Sequence, residues 1–242
     1  MPQAAVIIPA RWESTRFPGK PLHVIAGKPL IRHVWERCRE ARGIERIVVA
    51  TDHPRIAETA AAFGAEVAMT SPAHQSGTDR IAEAAAALRG VTHVVNVQGD
   101  EPLIDPALIT ELAETLLAEP DLEMITAANE IDDEADVQNP NVVKVVLDRR
   151  SNALYFSRSP VPFARHAGVV PCYRHQGIYG YSTAFLAQFV QWPPGLLERT
   201  EGLEQLRALE NGARIRVVLT TRRSLGVDAP EDVAAVESQL IR

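Results

Sequence analysis

Four short stretches concentrate the residues able to do chemistry. The first, IIPARWESTRFPGKPL at residues 7–22, sets Arg11, Arg16 and Lys20 on one loop behind an apolar run, with prolines stiffening it. Gly19 lets the main chain approach a ligand closely, and three cations beside exposed backbone N–H groups suit a polyphosphate. The alternative is a solvated basic loop. It is neither of two common phosphate loops, because Gly19-Lys20 runs into Pro21, Ser14 stands where a P-loop needs its first glycine, and no G-x-G-x-x-G follows. P-loop ATPase and dehydrogenase readings weaken together.

The second stretch is Gln98-Gly99-Asp100-Glu101-Pro102, after an apolar run. A carboxylate at a strand end can hold Mg²⁺, a hard cation that bridges to substrate phosphates, or can simply cap a turn or the next helix. In the third, Gly226 to Asp232, Asp228 is a candidate second metal carboxylate, while Glu231 and Asp232 suit a first helical turn and its dipole. The fourth is His74 to Arg80, where Ser76 or Thr78 is a good helix N-cap, Gly77 permits close approach to a flat base and Arg80 can donate to a pyrimidine carbonyl.

These loops need a frame that brings them together. Ala4 to Ala10 is a continuous apolar run, as in a strand covered on both faces, and Pro29 to Arg42 follows with helical spacing. The alternation repeats through IERIVVATD, PRIAETAAAFG, EVAMT, a helix from Thr78 to Leu88, and VTHVVNVQ. Such an order predicts βαβ units and a mostly parallel α/β sheet flanked by helices, whose ligands bind beyond the carboxyl ends of its strands. From about 130 to 182 the chain reads as strands and loops without a helix, an antiparallel insertion within one domain spanning 1–242. It then returns to helices at Thr183–Gln191 and Glu201–Asn211, a strand at Arg214–Thr220 and a closing helix after Pro230.

Composition narrows the partners. A formal net charge of -6 offers no global positive field to hold a nucleic acid. Two distant cysteines and the absence of a charged-then-apolar leader favour the cytoplasm. No apolar run approaches the roughly 20 residues of a membrane span.

Taken in order, VIIPAR, STRFPGKPL, ATDH, HQSGTDR, VVNVQGDEP, NPNVVKVVLD, ALYFSRSPVPF, HQGIYGY, LEQLR and GVDAPEDV resemble the 3-deoxy-manno-octulosonate cytidylyltransferases across nearly the whole chain. The resemblance implies a Rossmann-like nucleotide-diphospho-sugar transferase fold, Mg²⁺ as cofactor, a homodimer, and joining of CTP to the acid sugar Kdo to give CMP-Kdo and pyrophosphate for lipopolysaccharide core assembly. Carried over by motif, Arg11, Arg16 and Lys20 contact the triphosphate, with Lys20 also catalytic. Gln75, Ser76, Gly77 and Arg80 recognise cytidine, with Gly19 and Gln98 completing the nucleotide set. Asp100 and Asp228 bind metal and are catalytic with Lys20.

For the sugar, the resemblance implies Arg158, His175, Tyr179, Glu204 and Gln205. Each has a structural alternative, such as a core tyrosine, a hydrogen-bonding histidine or a solvated helix face. The connection between Phe163 and His175 is short for the family, which bears on the sugar-pocket rim and the dimer contact. The competing functions are the same transfer to 8-amino-Kdo or a sialic acid, a nicotinamide-dependent oxidoreductase, and a CTP-binding sensor without turnover.

Overall fold

The computed structural model describes residues 2–13, 17–165 and 171–241. In chain order, β1 (Ala4–Ala10) leads through a 3-10 turn (Lys20–Leu22) and a hairpin, β2 (Val24–Ile25) with β3 (Lys28–Pro29), into α1 (Leu30–Arg39). The alternation continues through β4 (Ile44–Thr51), α2 (Pro54–Ala62), β5 (Glu66–Met69), α3 (Gly77–Ala87), β6 (His93–Asn96), α4 (Pro106–Ala118) and β7 (Met124–Glu130). Next come α5 (Glu134–Gln138), β8 (Lys144–Leu147), β9 (Ala153–Ser157), β10 (Tyr173–Ser182), α6 (Thr183–Phe189), α7 (Leu196–Glu201) and α8 (Leu206–Glu210). The chain closes with β11 (Ile215–Leu219), a second 3-10 turn (Pro230–Asp232) and α9 (Val233–Leu240).

The strand order is β11-β7-β10-β6-β1-β4-β5, with β8 joined to β10 and β9 to β8. β1 is parallel to both β4 and β6, β4 to β5, and β11 to β7. Side chains alternate along β1, so Val6 and Ile8 pack with α1, α2 and α4 on one face while Ala5 and Ile7 pack with α3 and α6 on the other. Burial on both sides explains why this strand is a continuous apolar run.

Several boundaries differ from the sequence reading. Pro29 pairs in the β2–β3 hairpin and caps α1 from outside, so the helix starts at Leu30. The stretch expected to lack a helix contains α5, which Asp133 caps by accepting from the Ala135 N–H. β10 is the antiparallel element, yet it lies inside the main sheet between β6 and β7. The single helix expected over Glu201–Asn211 is two, α7 ending at Gly202 in a left-handed conformation and α8 restarting beyond it. The sequence reading places no element between Pro102 and Glu130, although Asp105-Pro106 is a cap followed by a first-turn proline and α4 buries Ile109, Leu112, Ala113 and Leu116.

A small apolar cluster ties the far end of the chain to its beginning. Ile25 and Leu30 pack with Val227 and Val236, so the C-terminal segment is pinned beside the first loop.

Candidate active site

From β1 the chain steps outward through β4 to β5, then returns across to β6 on the other side of β1. At such a reversal the loops leave in opposite directions and open a crevice. The crevice here is a cavity of about 330 Å³. Its lining includes Arg11 and Lys20 after β1, Ser76 and Gly77 at the start of α3, Asp100 after β6, and Asp228. Gln75, Arg80 and Gln98 complete the wall on the side of α3.

The first loop is held by its ends. The Gly19 N–H donates to the Trp12 carbonyl at 3.1 Å, and Gly19 has φ 70°, a conformation glycine adopts without steric cost. The Trp12 ring covers the glycine: an added Cβ would lie 3.4 Å from it. Trp12 in turn stacks on His53, ring centroids 4.2 Å apart, with the Arg55 guanidinium 4.6 Å from the indole. Lys20 follows directly, so its aim into the cavity is fixed by this anchor. Arg16 lies outside the described residues.

Lys20 joins the two carboxylate loops. Its ammonium donates to Asp100 Oδ2 at 2.6 Å and to the Val227 carbonyl at 2.9 Å. The Val227 N–H donates to the Asp100 carbonyl at 2.8 Å, which brings Asp228 to the same end of the sheet. Gly99 lets the Asp100 loop pass close to the end of β1, because a Cβ there would sit 2.7 Å from the Pro9 carbonyl oxygen. The capping alternatives fall elsewhere: Asp105 caps α4, and Asp232 accepts from the backbone N–H groups of Asp228 and Ala229 at 2.8 Å each. Burial raises the Glu101 carboxyl above the usual range, and the nearby charges of Asp100 and Asp228 push it the same way. Among the described residues no three of His, Cys, Asp and Glu gather closely enough to hold a metal by themselves. A hard cation here would need phosphate oxygens or water beside the two aspartates.

On the opposite wall, Ser76 is the N-cap of α3: its hydroxyl accepts from the Asp79 N–H at 3.1 Å, and Asp79 accepts in return from the Ser76 N–H. The capping role and a place on the cavity wall therefore coexist. Arg80 is buried, donating from Nη2 to Asp52 Oδ2 at 2.7 Å and from Nη1 to Thr70 Oγ1 at 2.5 Å.

Among the described residues, none of the five sugar-side candidates lines this cavity. Arg158 donates from Nε to the Glu201 carbonyl at 2.8 Å and from Nη1 to the Pro140 carbonyl at 2.9 Å, so its cation braces backbone. His175 packs between Phe156 and Tyr179. Thr126 donates its hydroxyl hydrogen to the Ile178 carbonyl at 2.7 Å, which leaves His175 Nε2 to donate to the Thr126 oxygen at 3.0 Å. Burial lowers the His175 pKa to about 3 and raises the Tyr179 phenol. Glu204 reaches the first turn of α3, accepting from the Thr78 hydroxyl; burial raises its carboxyl. Gln205 is buried, and its Nε2 meets no protein acceptor.

Sequence reasoning missed Trp12, Asp52 and Glu101 as contributors. Trp12 had a signal, an aromatic inside the basic loop. Asp52 stands at a strand end in ATDH, but its partner Arg80 is 28 residues away and no local pattern joins them.

Comparison with known proteins supplies an independent line. A family model described as "Cytidylyltransferase" matches residues 5–215. The 3-deoxy-manno-octulosonate cytidylyltransferase of Geobacter sulfurreducens is 51% identical, covering 97% of this chain and 98% of its own. That of Pseudomonas syringae pv. syringae is also 51% identical, covering 97% of both. Among solved structures, a CMP:2-keto-3-deoxy-manno-octonic acid synthetase complexed with CTP superposes with TM-score 0.95 at 39% identity over 99% of this chain and 98% of that one. The 4-diphosphocytidyl-2C-methyl-D-erythritol synthase of Anaerococcus prevotii, 13% identical with TM-score 0.68 over 100% of this chain and 99% of its own, shares the fold.

Proposed function

The chain belongs to the 3-deoxy-manno-octulosonate cytidylyltransferase family, and we propose a residue-level account of its reaction, the transfer of CMP from CTP to the anomeric hydroxyl of Kdo with release of pyrophosphate. The observation that carries the account is the convergence of Arg11, Lys20, the α3 N-terminus, Asp100 and Asp228 on one cavity. Cations and helix N–H groups suit a triphosphate, and the carboxylates suit the cation that accompanies it.

Arg11 forks across phosphate oxygens, and Lys20 acts as a point charge on the same group. Ser76, Gly77 and Arg80 face the base, with Gln75 and Gln98 beside them. The sugar hydroxyl oxygen bonds to the α-phosphorus, releasing its proton to water, as the bond to the bridging oxygen of pyrophosphate breaks, a step that asks chiefly for alignment and charge neutralisation. Mg²⁺ is the fitting cofactor: Asp100 and Asp228 are hard oxygen donors that line the same cavity. When bound, Mg²⁺ would neutralise charge across the phosphate oxygens.

On the acceptor side, the unpartnered Nε2 of Gln205 supports a hydrogen bond to the sugar, and Glu204 joins that region to the nucleotide loop through Thr78. Arg158, His175 and Tyr179 shape the pocket around it. We assign the enzyme a homodimer through the side of β8 and β9, where edge strand β9 exposes Leu154 and the following segment exposes Phe163. Its place is the cytoplasm, supplying activated sugar for lipopolysaccharide. Two unpaired cysteines fit a reducing compartment.

The test is pyrophosphate release from CTP and Mg²⁺ with Kdo, 8-amino-Kdo, sialic acid or no sugar. Release with Kdo and not with the others is expected; release with a different sugar would move the substrate. Absence of release from folded protein that binds CTP would overturn the enzymatic reading.

A further inference from the structure

We propose that Asp52 is the positioning residue of base recognition: with Thr70 it locks Arg80 into a fixed edge of hydrogen-bond donors, and that rigidity selects cytosine over uracil. The inference rests on the reading of Arg80 as a base-facing residue.

Three element ends meet at Arg80. Asp52 follows β4, Thr70 follows β5, and Arg80 lies on the first turns of α3. The guanidinium donates to Asp52 at 2.7 Å and to Thr70 at 2.5 Å, and the side chains of Arg80 and Asp52 are only 4% and 16% exposed. Burying a charge to this degree demands a well-placed partner. The obvious bland role for Asp52, capping α2, belongs instead to His53, whose ring accepts from the Arg55 N–H. Asp52 Oδ1 is buried without a protein partner, so the carboxylate's hydrogen bonding to the protein is directed at Arg80.

Donor chemistry sets the consequence. A guanidinium carries N–H donors and no acceptor, and Arg80 lines the cavity next to Ser76 and Gly77. Cytosine offers two adjacent acceptors, O2 and N3. Uracil keeps O2 but carries N–H at N3, which a fixed donor edge opposes. A guanidinium free to swing could avoid that clash; one clamped at both Nη atoms cannot.

Steady-state kinetics with CTP and UTP at saturating Kdo, and calorimetric binding of CTP, would be compared for the wild type, Asp52→Asn, Thr70→Val and Arg80→Lys. Asp52→Asn should raise KM for CTP about tenfold or more with kcat within about twofold, and lower the CTP-to-UTP ratio of kcat/KM about tenfold. Thr70→Val should shift the same quantities less, and CTP binding should weaken in parallel. A fall in kcat for Asp52→Asn with the CTP-to-UTP ratio unchanged would make Asp52 a structural residue and overturn the proposal. If Arg80→Lys shifts the ratio and Asp52→Asn does not, the clamp fails while the base-facing reading stands. If Arg80→Lys leaves the ratio intact, that reading itself fails, and the clamp with it. Should Asp52→Asn not fold, Thr70→Val decides, an unchanged ratio there overturning the proposal.

Discussion

The two halves of the binding region differ in what their polar side chains touch. On the nucleotide side Arg11, Lys20, Ser76, Gln98, Asp100 and Asp228 line one cavity. On the sugar side Arg158 is tied to backbone carbonyls, His175 is packed between rings, and Glu204 is tied to Thr78. The first half consists of short loops at parallel strand ends, whose side chains meet in a crevice and bond to one another across it, as Lys20 does to Asp100. The second combines the antiparallel β10 inside the sheet, the end of β9 and the turn before α8, and there His175 and Gln205 are packed before any ligand arrives. A preformed charged surface and a tightly packed pocket wall should therefore respond differently to substitution.

The largest effect should come from Asp100→Asn. Losing the charge that pairs with Lys20 at 2.6 Å and would hold the cation should lower kcat by about 10²-fold or more. Helical content by circular dichroism should stay unchanged, because Asp100 caps no helix. Pyrophosphate release at the wild-type rate from this variant would break the contrast, since the nucleotide side would then be no more chemical than the sugar side. Gln205→Leu probes the other half. It replaces a buried amide whose Nε2 has no protein acceptor, so it should raise KM for Kdo about tenfold and leave KM for CTP within about twofold. A matching rise in both constants would merge the two halves into one site.

Legibility in the sequence divides along the same line. The loops after β1 and β6 could be read because a basic or acidic cluster directly behind an apolar run is itself the signature of a parallel strand end. Ser76 was readable as a cap because its partner Asp79 is three residues on. The insertion was not readable in this way. β10 pairs with both β6 and β7, and those partners are about fifty or more residues away, so no local pattern announces its central place. The sugar-side residues came from family resemblance alone, and their contacts, such as His175 with Thr126, are long-range. Trp12 was overlooked because an indole in a basic loop looks like surface until His53 and Arg55 are brought under it.

Gly19→Ala tests how the first half is held. An L-residue at φ 70° costs on the order of 1 kcal/mol, while the new methyl would only touch the Trp12 ring. The urea midpoint should fall slightly, while KM for CTP should rise several-fold because Lys20 is the next residue. A lower midpoint with unchanged KM would show that the loop's backbone shape is irrelevant to the phosphates.

His175 supplies an effect on stability alone and the sharpest test of the second half. Burial holds its folded pKa at about 3, whereas the unfolded chain titrates near the ordinary value of 6.5. Between those values the unfolded state binds a proton that the folded state refuses. Stability from this residue is therefore complete above about pH 6.5 and declines as pH falls toward 3. His175→Gln should remove that part of the slope: the loss of unfolding free energy between about pH 7.5 and about pH 5 should be smaller than in the wild type by roughly 2 kcal/mol. The variant is expected to be less stable at the higher pH, because the ring contacts with Phe156 and Tyr179 are gone. Parallel pH profiles for the two proteins would mean that water reaches the imidazole, and the sugar side would then resemble the open nucleotide cavity more than a packed wall.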